Sequence, residues 1–294
     1  LRVLVEVAGA GSIVKAAGED PVRQSQFSRQ LKELEVFFER KLTERKGRTL
    51  SLTPAGKKLA NLTREHLNAL ARFKAENGQT PLTIRLGAGE SLIKWLLIPS
   101  LGRMTEGRTS ANYRFSFANL QAPEIVERLL DQRLDLGLIR NAEETLPLKS
   151  CRLGKLSHAL FVPRALARGT PAKAEKAIAG FPLAILEGQS SIRQMIEKAC
   201  RKEGKEPNIR FECVSHPEIA AIVRCGLAAG ILPTLAKGEF VGTSVQQYDL
   251  RAISVSLAEL SLLWNPRSLA MSTVLERIKD DLVKALRDGM RVDV

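Results

Sequence analysis

The chain changes character at Gln79-Thr80-Pro81, and no other feature constrains its fold as much. Beyond that point short apolar runs alternate with amphipathic helical stretches, the pattern of parallel strands whose crossover helices cover both faces of a sheet. Residues 82–87, 113–118 and 134–139 read as strands, with helices over 92–104 and 123–132 between them; 159–163 reads as a further strand. A second series follows: strands at 183–186, 209–214 and 230–233, with helices at 191–203 and 218–225. The strand at 260–263 and the helix at 273–286 have no partner in that second series, so they are expected to return to the first. The pattern therefore predicts one α/β subdomain from 81–163 plus 255–294 and another from 164–254. Two crossing strands join them around a hinged cleft, and such sheets bind ligands at the carboxyl ends of their strands.

Composition narrows the function classes. The most apolar stretch, around 219–235, is cut by Arg224 and Gly226 before it reaches membrane-spanning length, so no membrane role is expected. Four Cys without paired spacing, and no apolar leader at the start, point to a reducing cytoplasm rather than a disulfide scaffold. Cys200, Cys213 and Cys225 read as inert buried thiols. The three His (His66, His158 and His216) show no metal-ligand spacing, and no nucleophile elbow, phosphate loop or dinucleotide fingerprint appears. No cofactor, metal or catalytic centre is expected.

The net charge of +13 is unevenly placed: the first eighty residues carry 15 basic against 9 acidic side chains, the rest 30 against 23. A helix over residues 1–8 is closed by Gly9-Ala10-Gly11, and Ser12 stands as N-cap of a second. After Gly18-Glu19-Asp20-Pro21 a third helix places Phe27, Leu31 and Leu34 on one buried face. Its other face shows Gln24, Ser25, Ser28, Arg29 and Lys32, side chains suited to base edges and phosphates. Helix, short turn and a polar, basic second helix make a helix-turn-helix, whose second helix enters the major groove of DNA. Two short β segments around Arg45-Lys46-Gly47-Arg48 form a wing that brings Arg45, Lys46 and Arg48 to backbone phosphate. Thr53, counted with the DNA-contacting residues, also caps a helix that starts at Pro54 and runs to about Asn77. Its apolar series Leu59, Leu62, Leu67, Leu70 and Phe73 predicts burial against a second copy.

These residues resemble the LysR-type transcriptional regulators. The pattern Ser12-x3-Ala16-Ala17, Gln24-x3-Ser28-Arg29-Gln30-Leu31-Lys32-x-Leu34-Glu35, Leu42-x2-Arg45 and Leu52-Thr53-Pro54-Ala55-Gly56 follows that family's winged helix-turn-helix in order and spacing. Asp20 stands where the family usually has an apolar residue, Ser25 where Pro is common, and Glu39 and Thr43 where Gly and Phe are usual. Looser matches in the second half (Leu86-Gly87, Leu97-x-Pro99, Leu134-Asp135-Leu136, Phe161-Val162-Pro163, Gly226-x3-Gly230-x-Leu232-Pro233) are similar to the family's effector-binding domain. The resemblance implies an α/β multidomain protein: a winged domain at 1–58, a linker and dimerisation helix at 59–80, and a two-subdomain effector domain of the periplasmic-binding type II kind. It implies double-stranded DNA as partner, a homodimer or homotetramer, and a small-molecule effector that controls transcription.

Strand ends nominate the effector-binding residues. Ser91 opens the helix after the first strand, Asn119 and Gln121 follow the second, and Arg140 follows the third. In the second subdomain Gln189 and Ser190 precede a helix, and His216 follows a strand. Arg140 and Arg193 favour an anionic effector. The rival reading is a solute-binding protein or enzyme of the same α/β fold whose N-terminal region only oligomerises.

Overall fold

The structure is a computed structural model that describes residues 1–18, 20–46, 49–78, 80–105, 113–143, 146–167, 178–250 and 258–291. Its first sixty residues are organised by caps. Helix α1 (Arg2–Ala10) runs two residues past its expected end and stops where Gly11 turns left-handed, φ 78°. The Ser12 hydroxyl then accepts the Lys15 amide and opens α2 (Ile13–Ala17). Asp20 accepts the amides of Val22 (2.9 Å) and Arg23 (3.4 Å) and starts α3 (Pro21–Phe37), so its departure from the family pattern supplies an N-cap. Val3, Leu4, Val7, Ile13, Ala17, Phe27 and Leu31 bury one another as the core of this domain. Strands β1 (Thr43–Lys46) and β2 (Thr49–Leu52) pair antiparallel as the expected wing. Gly47 and Arg48 at its tip lie outside the described residues.

Helix α4 (Pro54–Glu76) leaves this domain and lies along the first α/β subdomain. One stripe of the helix is polar and docked: Asn61 Nδ2 donates to Asp131 Oδ1 (3.0 Å), Arg64 Nη1 to the Asp131 carbonyl (2.7 Å), and Asn68 Nδ2 to the Gln132 carbonyl (3.0 Å). Deeper in, Arg72 Nη2 donates to Asp135 Oδ1 (2.6 Å) and Arg72 Nη1 to the Ser268 carbonyl (2.7 Å). The same carboxylate accepts three bonds from Arg85: the backbone amide (2.8 Å) and Nε (3.1 Å) on Oδ2, and Nη2 (3.1 Å) on Oδ1. Asp135 is almost wholly buried, so only this ring of donors makes its charge tolerable there.

The first sheet is built from β3 (Leu82–Ala88), β4 (Tyr113–Asn119), β5 (Leu136–Arg140), β6 (Lys149–Leu156) and, from far along the chain, β12 (Ala258–Trp264), in the order β4-β3-β5-β12-β6. Helix α5 (Glu90–Leu92), a π turn (Ile93–Leu97) and α6 (Ile98–Thr105) join β3 to β4; α7 (Ala122–Leu130) precedes β5. The second sheet holds β7 (His158–Pro163), β8 (Leu183–Leu186), β9 (Ile209–Cys213), β10 (Ala229–Pro233) and β11 (Val245–Asp249), in the order β11-β7-β10-β8-β9. Helices α8 (Ser191–Lys202) and α9 (His216–Arg224) pack on this sheet. After β12 come α10 (Pro266–Ala270) and α11 (Thr273–Arg291), and α11 packs its apolar face (Leu275, Ile278, Leu282, Leu286) into the first subdomain.

Two expectations need correction. The sheets are mixed: β3, β4 and β5 are parallel, but β12 runs antiparallel to both β5 and β6, and β7 runs antiparallel to β10 and β11. Residues 158–163, expected with 81–163 in the first subdomain, belong to the second sheet, because β7 pairs with β10 and β11; the first crossing is therefore at Ser157. The second crossing, and with it the expected boundary at 255, lies outside the described residues. The return of the late strand and helix to the first subdomain is as expected. In each subdomain a strand glycine admits a helix at close range: a Cβ on Gly137 would run into Ile125 and Leu129 of α7, and one on Gly230 into Ile219 and Val223 of α9.

Candidate functional site

The outer face of α3 is set by what its inner face buries. Phe27 and Leu31 are in the core and Leu34 packs half-buried against it, which turns Ser25, Arg29 and Lys32 to solvent with Gln24 and Ser28 half-buried at the margin. At 100° per residue the five side chains span about 140° of the helix surface. Arg29 Nε lies 3.1 Å from Glu33 Oε1, an exposed pair that costs little to reopen. The wing is fastened to this helix by one carboxylate: Glu35 Oε1 accepts the Leu42 amide (2.8 Å), the Thr43 amide (2.9 Å) and the Thr43 hydroxyl (2.9 Å). Thr43, where the family usually has Phe, thus supplies a third donor to the same oxygen. Burial would raise the Glu35 pKa, but these hydrogen bonds and nearby Lys41 outweigh it and hold the carboxyl below its ordinary value. Arg45 is exposed on β1. Thr53 is committed internally: its hydroxyl donates to the Lys41 carbonyl (3.0 Å) and accepts the Gly56 amide (3.0 Å).

The stripe of α4 opposite its docked side carries Leu62, Leu70 and Phe73, each at least half-exposed. Of the five apolar positions expected to face a second copy, Leu59 and Leu67 are half-buried, Leu59 against the winged-domain core.

A cavity of about 510 Å³ opens between the two subdomains. Its walls are largely apolar (Ala184, Ile185, Leu186, Ile219, Ile231), and its polar groups are Arg140, Asn141, His158, Ser190, Ser191, Arg193 and His216. Arg140, at the end of β5, is open to the cleft and has no carboxylate partner among the described residues; the flanking walls still desolvate it enough to lower its pKa. His158 and His216 are buried with ring centroids 6.4 Å apart. Neither nitrogen of His158, nor Nε2 of His216, has a hydrogen-bond partner among the described residues. Burial first, then the charge of Arg140, pushes both imidazoles down to about 4, so both are neutral near pH 7.

Two family patterns match the chain in tandem. Residues 1–57 match the pattern described as "Bacterial regulatory helix-turn-helix protein, lysR family", and residues 77–283 match "LysR substrate binding domain". The chain belongs to the LysR family. It is a DNA-binding transcriptional regulator with an effector-binding domain. The LysR-family chain is 25% identical over 232 residues to the uncharacterized HTH-type transcriptional regulator YybE of Bacillus subtilis (strain 168), covering 76% of this chain and 77% of that one. In fold it is similar to full-length LysG from Corynebacterium glutamicum with bound effector Arg (TM-score 0.64, 16% identity, 98% and 96% of the two chains). It is also similar to full-length CbnR in complex with its target DNA (TM-score 0.51, 18% identity, 97% of each chain).

Of the expected effector residues of this LysR-family chain, the cavity brings together Arg140, Ser190 and His216. Ser91 is buried just inside α5, whose N-cap is Gly89; Asn119 is exposed at the end of β4; Gln121 caps α7 in a reciprocal box with Glu124; Gln189 is exposed in the loop before α8. None of these four lines the cavity. Ser190 faces it, but its hydroxyl accepts the Arg193 amide (3.1 Å) as N-cap of α8. Arg193, expected to favour an anion, is held by Glu212 (2.7 Å) and Glu197 (3.7 Å). Asn141 lines the cavity too, unanticipated, and the most telling group missed is His158. Its position at the start of β7, with 57 residues between it and His216, gave no local pattern to read.

Proposed function

We propose that this regulator grips duplex DNA through the outer face of α3 and the adjoining wing, as a homodimer or a homotetramer built from dimers. Gln24, Ser25, Ser28, Arg29 and Lys32 read or position the major groove, and Arg45 meets flanking phosphate; Lys46 and Arg48 belong to the same wing in sequence, but the Lys46 side chain and the whole of Arg48 lie outside what the structure describes. The observation that carries the reading is the Glu35 fastening, which holds wing and helix as one presented surface. The exposed Leu62, Leu70 and Phe73 of α4 supply the seam between copies. A small anionic molecule in the cavity beside Arg140 changes the angle between subdomains, and through docked α4 the placement of the DNA-binding heads; it acts only by its differential affinity for the two arrangements. The protein works by binding alone, in the cytoplasm.

Fluorescence anisotropy with labelled upstream promoter DNA tests this. Lys32→Ala and Arg45→Ala should each weaken binding, and Arg45→Ala should reduce the salt slope by about one. No binding by the wild type would return the protein to the rival reading of a ligand-binding module whose N-terminal region only oligomerises; an unchanged slope in Arg45→Ala would remove the wing from the interface.

A further inference from the structure

We propose that the cleft selects a small hydroxycarboxylate, its carboxylate held by Arg140 and the first amides of α8 and its hydroxyl placed between His158 and His216. The inference rests on the cleft being the effector site and adds the chemistry of the molecule that enters it.

Three groups on the walls ask for an anion or fit one. Arg140 contributes a cation with no partner among the described residues, and no Asp or Glu among the described residues lines the cavity; Arg193 is neutralised by its own two carboxylates. Helix α8 points its N-terminus at the same space, and the amides of Ser191 and Ile192 have no intrahelical carbonyl to reach, since Ser190 serves the amides of Arg193 and Gln194. The wall charge is therefore positive, the reverse of what an amine or guanidinium ligand needs. LysG, of the same fold, is described with arginine as its bound effector, so the preference must come from this chain's own side chains.

The second requirement comes from the imidazoles. His158 is 8% exposed and His216 7%, yet three of their four ring nitrogens are buried with no partner among the described residues. Being neutral, each ring presents one N–H donor and one bare nitrogen acceptor. A group that both donates and accepts is needed between rings 6.4 Å apart, and a hydroxyl is the smallest that does so. A second carboxylate there would lack the donor, and an alkyl group would leave the nitrogens unpaired at the cost of their desolvation. The remaining walls, from Ala184 through Leu186 with Ile219 and Ile231, match a short hydrocarbon body, and about 510 Å³ limits the ligand to small-metabolite size.

The test uses the full chain in thermal-shift and calorimetric titrations at pH 7.5. The probes are 4-hydroxybutyrate, mandelate and 4-hydroxyphenylacetate, each beside its deoxy parent acid and its primary amide. At least one hydroxy acid should raise the melting temperature, binding about tenfold or more tightly than its deoxy acid and its amide. Arg140→Gln should abolish the preference for acid over amide, and His158→Phe or His216→Phe the preference for hydroxy over deoxy acid. The wild-type comparison stands even where a variant fails to fold. The proposal is overturned if no hydroxy acid binds up to about 10 mM, if amides or amines bind as well as acids, or if acids bind with no hydroxyl preference because water alone serves the imidazoles. DNA binding in the same samples is independent of these outcomes. Its loss refutes the regulator, whereas a cleft that takes a neutral or cationic effector refutes only the chemistry assigned here.

Discussion

Asp135 holds the long helix to the effector domain, and removing it should hurt more than removing the arginine it holds. Four donor contacts converge on this carboxylate, three of them from Arg85 and one from Arg72. Asp135→Ala leaves the Arg72 guanidinium, 5% exposed, with only the Ser268 carbonyl among the described residues, and frees the Arg85 amide. Breaking a buried pair from this side costs about 3–5 kcal/mol. Arg72→Met removes the bonds to Asp135 and to the Ser268 carbonyl, but Asp135 keeps Arg85 and no buried charge is left unpaired, which comes to about 1.5–3 kcal/mol. Urea denaturation should therefore rank Asp135→Ala below Arg72→Met by roughly 2 kcal/mol. Hydrogen exchange should show residues 68–76 of α4 deprotected in both variants, because both cut the tie between the helix and the sheet. Equal losses in the two variants, or α4 protected as in the wild type, would refute the view that Arg85 carries most of the carboxylate and that Asp135 docks the helix.

Three further outcomes follow from the geometry. Because His158 and His216 are held neutral down to about 4 while unfolded histidine titrates near 6.5, the unfolded chain binds more protons in between; stability is fully present above about pH 6.5 and falls toward pH 4. By pH 5 the loss is about 2 kcal/mol per imidazole, and His158→Phe should flatten the measured pH dependence; an unchanged slope would contradict the burial of that ring. Glu35→Ala strips two backbone amides and a hydroxyl of their acceptor at the base of the wing and should cost about 1–3 kcal/mol, with weaker DNA binding as the wing loosens. Glu39 sits at φ 46°, a left-handed position where the family usually has Gly, so Glu39→Gly should gain a few tenths to 1 kcal/mol by thermal denaturation; destabilisation would mean the side chain contributes a contact that outweighs the strain.

Much of this was legible in the sequence because the signals were local. Ser12, Thr53-Pro54 and the Phe27, Leu31 and Leu34 series each act within a turn or two, and the helices and hairpin they imply are present. Buried strands such as β8 read clearly as apolar runs. Strands β6 and β11 did not, because they lie at sheet edges: Lys149-Ser150-Cys151-Arg152 and Val245-Gln246-Gln247-Tyr248 face solvent and carry little apolar pattern. Partnership was equally hidden, since the run that makes β7 a strand says nothing of which sheet will accept it. The strand-end rule found Arg140, Ser190 and His216 but also selected Ser91, Asn119 and Gln121. From the first sheet the cavity takes the end of β5 and Ala258 at the start of β12, and it builds its other walls from the second.

The position of β12 has a consequence for how the chain is made. This strand sits between β5 and β6, and β6 has no neighbour in the sheet until β12 arrives. In the chain, Leu156 ends β6 and Ala258 begins β12, so roughly a hundred residues separate the gap from the strand that fills it. At about 5–20 residues per second on the ribosome, the flank of β5 stays unpaired for on the order of 5–20 s while the second subdomain emerges and can already close. The winged domain and the second subdomain can each mature as they are synthesised; the first subdomain must wait. Its half-built sheet is the species that a chaperone would meet, and overproduction should favour aggregation through the unpaired flank of β5 before β12 arrives.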